Sequence, residues 1–157
     1  MKPNIKPCLE EHFPGKAKPG SSIPGDVWFD AASAHLSSAR MIFDSDPAAA
    51  FLLGWTAMHK TAKGIAASAG SRLEGETHGK VVDFLCCVFA DLSNGEKGLV
   101  RRASTGRNSL SYDDPRIVDR AICRDVLALA KRLVDAASAG VQPKPVKRIP
   151  PPPAERP

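Results

Sequence analysis

Apolar residues recur every three or four positions through the middle of the chain, a spacing that places them on one face of an α-helix. In the first such segment these positions are Trp28, Ala32, Leu36, Ala39 and Phe43. No Asn-Gly pair stands between alternating apolar residues, so no β-hairpin is expected. The pattern predicts helices at about 26–43, 47–69, 74–92, 96–104 and 115–138.

Capping residues indicate where several of these helices begin and end. Asp46 precedes Pro47, and Asp114 precedes Pro115. Such a pair favours a helix start, because the carboxylate accepts from free amides and proline is pre-set for the first helical position. Gly70 follows the second helix, as a C-terminal cap does. Four long helices and one short one predict an all-α, up-and-down helical bundle.

The second predicted helix is apolar around much of its circumference, notably at Phe51, Leu52 and Leu53. Apolar surface beyond one core-facing stripe often marks a subunit interface. The sequence therefore predicts a homodimer that forms through this helix.

Proline and charge divide the chain into three parts. Of the 14 prolines, five lie in residues 1–25 and seven in residues 143–157. The net charge of +5 consists of +2 in residues 1–25 and +3 in residues 141–157, so residues 26–140 are neutral overall. Segments rich in proline and poor in apolar residues are expected not to fold. The predicted organisation is a flexible N-terminal segment (1–25), a helical bundle (26–140) and a disordered, basic, Pro-rich tail (141–157).

The Pro-rich tail is expected to adopt extended polyproline II structure. Its Lys and Arg residues suit phosphates, and Ile149 with the four prolines after it suits an aromatic groove of a protein partner. A tail that only solubilises or tethers the protein is the alternative interpretation. A non-enzymatic helical adaptor that binds a protein partner through this tail is the alternative function.

The cysteines and histidines show no spacing typical of a metal site or a disulfide framework. No Cys-x-x-Cys, HxxxH or HExxH pair occurs, so no zinc site, disulfide framework or cofactor is predicted. No apolar run reaches the roughly 18 residues of a membrane span, and the N-terminus has no apolar signal-peptide core. A cytoplasmic protein is expected. The residues considered are Cys8, Cys86, Cys87, Cys123, His35, His59 and His78.

Arginine is concentrated in the segment Arg101–Pro115, RRASTGRNSLSYDDP, which also holds the only tyrosine of the chain. This segment is expected to be turn-rich and to lie between two helices. Arginine offers a rigid fork of donors for phosphate oxygens, and Asn and Tyr add neutral hydrogen bonds beside it. The predicted partner is a nucleic-acid backbone or a nucleotide, and Arg107, Asn108 and Tyr112 of this segment are candidate site residues.

A second set of arginines extends this basic surface. Arg116, Arg120 and Arg124 recur every four residues of the last predicted helix and so share one face. Together with Arg101 and Arg102 they form a predicted RNA-binding surface. A solvated helix face with neighbouring acidic partners is the alternative.

The order of a helical bundle, the motif Arg107-Asn108-x-x-x-Tyr112 and a last helix that starts on proline resembles the HEPN domain family, over residues 26–138. This resemblance implies an R-x(4–6)-H motif that meets its copy across a dimer and forms a metal-independent endoribonuclease. Arg107 and Asn108 match the motif, whereas Tyr112 stands in the His position.

That difference matters because the family's His orients or transfers a proton at the ribose 2′-hydroxyl, and a tyrosine titrates only near pH 10. The resemblance therefore implies either a variant ribonuclease or an RNA-binding or regulatory member, as in toxin–antitoxin and phage-defence systems. A polar loop in which Arg107 caps carbonyls or pairs with the aspartates that follow is the structural alternative.

Overall fold

The computed structural model describes residues 5–14, 17–19, 23–73, 78–112 and 118–140, without side chains at 17–19 and 108–112. These residues form a helical bundle and one short ribbon, which confirms the predicted all-α fold. The elements are α1 (Ile5–His12), β1 (Ala17–Pro19), α2 (Gly25–Ile42), α3 (Pro47–Ser68), β2 (Ser71–Leu73), α4 (His78–Val88), α5 (Asn94–Tyr112) and α6 (Arg120–Gly140). The described helices include none with the length and apolar content needed to span a lipid bilayer.

Helix α3 begins and ends as the sequence predicts. The Asp46 carboxylate accepts a hydrogen bond from the Ala49 amide at 2.9 Å, and Pro47 occupies the first helical position. Gly70, which follows the last turn, has a φ of +75°, a left-handed conformation that glycine adopts without a Cβ penalty.

Helix α3 is also the central element of the bundle. It packs against α2, α5 and α6 and contacts α1, α4 and β2. Phe51 is fully enclosed, and Leu53 packs on the core from a half-buried position. Part of the apolar surface of α3 is therefore buried within one chain, and the homodimer through this helix stays a prediction.

Helix α5 is much longer than the short helix predicted at 96–104. It runs without interruption to Tyr112, so the prediction that residues 101–112 are turn-rich is wrong. The start is fixed by a capping box, in which the Ser93 hydroxyl accepts from the Glu96 amide at 3.2 Å and the Glu96 carboxylate accepts from the Ser93 amide at 2.8 Å. Farther along, Val100 and Ala103 are fully buried. This tertiary packing supports the helix despite its turn-forming residues.

Helix α6 begins later than predicted and ends at Gly140. Residues 118 and 119 are not helical, and the Asp119 carboxylate accepts from the Ile122 amide at 2.7 Å. Asp119 is therefore the start signal that caps this helix. Asp114 and Pro115, the predicted start, lie outside the described residues, as does the tail 141–157.

The N-terminal segment contains a folded helix, so the prediction that residues 1–25 are flexible is wrong for α1. Leu9 is 3% exposed and Phe13 is fully buried, with its ring 5.7 Å from that of Phe84 in an edge-to-face contact. A disulfide joins Cys8 of α1 to Cys87 of α4, which corrects the expectation that no disulfide forms. The average composition of residues 1–25 is polar and rich in proline, and this average conceals the short apolar face of α1.

The two strands pair antiparallel, with Ala17 opposite Leu73 and Pro19 opposite Ser71. They join the segment after α1 to the segment after α3. This ribbon is a non-local contact that follows from the docking of α1, and no hairpin signal in the sequence announces it.

Candidate functional site

Four side chains from three helices meet where α3, α4 and α5 adjoin. Trp55 and His59 lie one turn apart on α3, His78 begins α4, and Arg107 extends from α5. The ring centroids of Trp55 and His78 are 5.6 Å apart, those of His59 and His78 are 5.7 Å apart, and those of Trp55 and His59 are 6.2 Å apart. We call these four residues the Arg107 cluster.

The imidazole of His78 faces two hydrogen-bond donors. Trp55 Nε1 lies 3.3 Å from His78 Nδ1. The Arg107 guanidinium contacts His78 Nε2 and lies 3.4 Å from Nδ1. A neutral imidazole has one acceptor nitrogen and one N–H, so His78 cannot accept from both donors at once. Trp55 and Arg107 therefore compete for the acceptor nitrogen of His78, and the half-buried Arg107 guanidinium has further donors that suit a phosphate oxygen.

Packing against the core fixes the position of this cluster. Trp55 is 1% exposed, whereas His78 and Arg107 are half-buried and reach the surface. Gly106, next to Arg107, lets α5 approach α3 closely, because a Cβ at this position would lie 2.8 Å from Cε1 of Phe51. The absence of a side chain at Gly106 thus helps to bring Arg107 to His78.

Only one of the three predicted site residues has a described side chain. Arg107 lies in the cluster. Asn108 and Tyr112 belong to α5, but their side chains lie outside the described residues. The structure therefore gives contacts for Arg107 alone.

The predicted RNA-binding arginines are divided between two helices. Arg101 and Arg102 are exposed on α5. Arg120 Nη2 donates to the Asp44 carbonyl at 2.8 Å, so the start of α6 is held to the turn that follows α2. The Arg124 guanidinium lies 5.6 Å from the ring centroid of Phe43. Arg116 lies outside the described residues.

A cavity of about 290 Å³ lies between α2 and α6, away from the residues of the Arg107 cluster. Its lining combines two guanidinium groups with apolar side chains, a mixture that suits an anionic ligand with an apolar body. The lining residues are Arg40, Phe43, Arg124, Leu127 and Ala128.

The sequence offers His78 as a possible proton donor near Tyr112, but it does not identify His78 as a partner of Arg107. The two positions are 29 residues apart and lie on different helices. The available signal was an ionisable residue at the start of a helix whose other inward positions, such as Val81, Val82 and Leu85, are apolar. Its partner became evident only from the packing of α4 on α5.

No protein-family model matches the chain, and no curated protein matches it significantly.

Proposed function

We propose that this protein acts on RNA at the Arg107 cluster, as a variant ribonuclease of the HEPN type. The observation that carries the proposal is the contact between the Arg107 guanidinium and the His78 imidazole. A guanidinium suits a phosphate, and an imidazole is the side chain that ordinarily exchanges protons near neutral pH. The HEPN motif pairs an arginine with a histidine within one helix, and here the histidine beside Arg107 comes from another helix.

In the proposed reaction, a phosphate oxygen of RNA replaces the imidazole as the acceptor for Arg107. His78 Nε2, the ring nitrogen that Arg107 contacts before RNA binds, then takes the proton from the ribose 2′-hydroxyl. The 2′-oxygen forms a bond to phosphorus while the bond from phosphorus to the 5′-oxygen breaks. The 5′-oxygen takes a proton from water, and the hydroxide that remains takes the proton from His78. The products are a 2′,3′-cyclic phosphate and a free 5′-hydroxyl.

Binding of the RNA backbone is assigned to the exposed arginines. Arg101 and Arg102 are exposed on the helix that carries Arg107, one to two turns before it, so they add positive charge for the RNA backbone near the cluster. We further propose that two copies associate, as the resemblance to HEPN domains implies. Sedimentation of the purified protein measures that association independently of RNA cleavage.

The test is cleavage of a mixed pool of single-stranded and structured RNA by the purified full chain, with RNA binding measured in parallel. Arg107→Ala should abolish cleavage and weaken binding, because it removes the phosphate ligand. Arg102→Ala should weaken binding but leave the rate at saturating RNA unchanged, because its side chain is exposed and outside the cluster. A lower cleavage rate in Tyr112→Phe would show that the Tyr112 hydroxyl takes part in the reaction.

Gly98→Ala is the matched control on the same helix, since a Cβ there meets no atom within 4 Å. It should retain full activity. Cleavage that survives in Arg107→Ala would contradict the proposed site. Intact and unbound RNA with the wild-type protein would contradict the proposed function and favour the adaptor role.

A further inference from the structure

A second group of polar side chains converges where α1 meets α4. Cys8, Glu11 and His12 are three and four residues apart on α1 and therefore share one face. Glu11 Oε1 and His12 Nε2 are 3.9 Å apart, and a ligand atom from each lies within 4.8 Å of Cys87 Sγ on α4. Cys8 Sγ is bonded to that same sulfur. Two sulfurs, one imidazole nitrogen and one carboxylate oxygen thus meet in one place.

These atoms are the ligand types that zinc prefers. Zn²⁺ binds thiolate, imidazole and carboxylate in tetrahedral sites, with bonds of about 2.0–2.3 Å. Such bonds place neighbouring ligand atoms roughly 3.4–3.8 Å apart. The separation of 3.9 Å between Glu11 and His12 is already close to this value. Two soft sulfur ligands favour zinc over magnesium or calcium, which prefer oxygen.

We propose that Cys8, Glu11, His12 and Cys87 bind one Zn²⁺ ion when the Cys8–Cys87 disulfide is reduced. This site joins two helices that are far apart in the sequence, so it lacks the short Cys-x-x-Cys spacing by which zinc sites are usually found. It is separate from the Arg107 cluster and does not depend on RNA cleavage.

The chemistry requires a dithiol reductant, which converts the disulfide to two thiols and is itself oxidised to a disulfide. The two thiols then release two protons as Zn²⁺ forms bonds to both sulfurs. Reoxidation returns two electrons to the oxidant, forms the disulfide and releases the ion. Zinc and the disulfide are mutually exclusive, and each of them fastens α1 to α4.

The surroundings permit an ion to enter without unfolding the bundle. Cys8 is 4% exposed at the base of the group, whereas the side chains of His12 and Glu11 are 20% and 68% exposed. The carboxylate at the rim can therefore move by rotation of its own torsions. Formation of the site requires that the two sulfurs separate, and that the Glu11 and His12 ligand atoms close in, to the spacing of zinc ligands.

The experiment is competition for zinc between the fully reduced full chain and a chromophoric chelator, without oxygen. The expected stoichiometry is one zinc per chain. His12→Ala and Cys87→Ser should each weaken zinc binding by about 10-fold or more, since loss of even supporting residues commonly costs that much. Cobalt substituted for zinc should give thiolate-to-metal charge-transfer absorption that weakens in Cys87→Ser and disappears when Cys8 is replaced by Ser as well.

Cys86→Ser is the matched control, because Cys86 is a free thiol beside Cys87 and lies outside the proposed ligand group. This variant should bind zinc as the wild type does, and the oxidised protein should bind none at this site. Absence of zinc binding by the reduced wild type would overturn the proposal. Equal affinity in wild type and His12→Ala, with both folded by circular dichroism, would also overturn it.

Discussion

Alanine substitution should stabilise the protein at Gly98 of α5 but not at Gly106 of the same helix. A Cβ at Gly98 meets no atom within 4 Å, whereas a Cβ at Gly106 would lie 2.8 Å and 2.9 Å from Cε1 and Cζ of Phe51. The Phe51 ring is 1% exposed and enclosed by the core, so it cannot turn towards solvent. Gly98→Ala therefore tests helix propensity alone, and Gly106→Ala tests propensity together with overpacking.

The magnitudes follow from these two contributions. Replacement of glycine by alanine inside a helix stabilises by about 1 kcal/mol. Overpacking of a well-packed core costs about 1–3 kcal/mol. Gly98→Ala should raise the free energy of unfolding by about 1 kcal/mol, and Gly106→Ala should leave it unchanged or lower it by up to about 2 kcal/mol.

The assay is urea unfolding of both variants and the wild type, followed by far-ultraviolet circular dichroism. The decisive quantity is the difference in the free energy of unfolding between Gly98→Ala and Gly106→Ala, because both changes add the same methyl group to the same helix. Gly106→Ala should also weaken RNA binding, since displacement of α5 moves Arg107 away from His78. Equal stabilisation by both substitutions would refute the close packing of α5 on α3.

Four further predictions concern the cysteines and one ion pair. Protein purified without reductant should show two reactive thiols per chain after denaturation and four after reduction, and a count of four without reductant would contradict the disulfide. In the folded state those two thiols should react slowly, because burial raises the pKa of Cys123 to about 11 and also raises the pKa of Cys86. Reduction without zinc should lower the free energy of unfolding by up to about 4.5 kcal/mol for a sequence separation of 79, and an unchanged urea midpoint would contradict this. A hydrogen bond from Arg132 lowers the pKa of Glu96 from its ordinary value of 4.5. The bond to the ionised carboxylate therefore stabilises the fold above pH 4.5, and this stabilisation is lost as the pH falls below that value. Glu96→Gln should therefore lose less stability than the wild type on acidification, as measured by Tm against pH, and parallel losses would contradict that pairing.

The helices with strong local signals were predictable from the sequence. Asp46 and Pro47 mark the start of α3 through a side-chain cap and a fixed φ, both of which depend only on neighbouring residues. The long apolar stripes of α2 and α3 likewise determine a face without knowledge of the partner helix. Such features need no tertiary information, and the structure has them within a residue or two of the predicted bounds.

The features that escaped prediction depend on distant contacts. The C-terminal half of α5 contains Ser, Thr, Gly and Asn, which favour turns locally, and its helix is supported by packing on α3. The disulfide and the proposed zinc site each need α1 docked on α4. These two helices are separated in the sequence by α2 and α3. The contact between His78 and Arg107 likewise depends on the packing of two helices, α4 and α5. Local patterns could identify Arg107 as a candidate, but only the packing of α4 on α5 identifies its partner.

RNA cleavage by His78→Gln, compared with cleavage by the wild type, tests directly whether His78 is the proton acceptor. The fold and the RNA affinity of both proteins are measured alongside. The amide oxygen of glutamine can still accept from Arg107, but an amide does not exchange a proton near neutral pH. We expect that RNA binding persists in His78→Gln while cleavage is lost. Cleavage by His78→Gln at the wild-type rate would contradict the assignment of His78 as the proton acceptor.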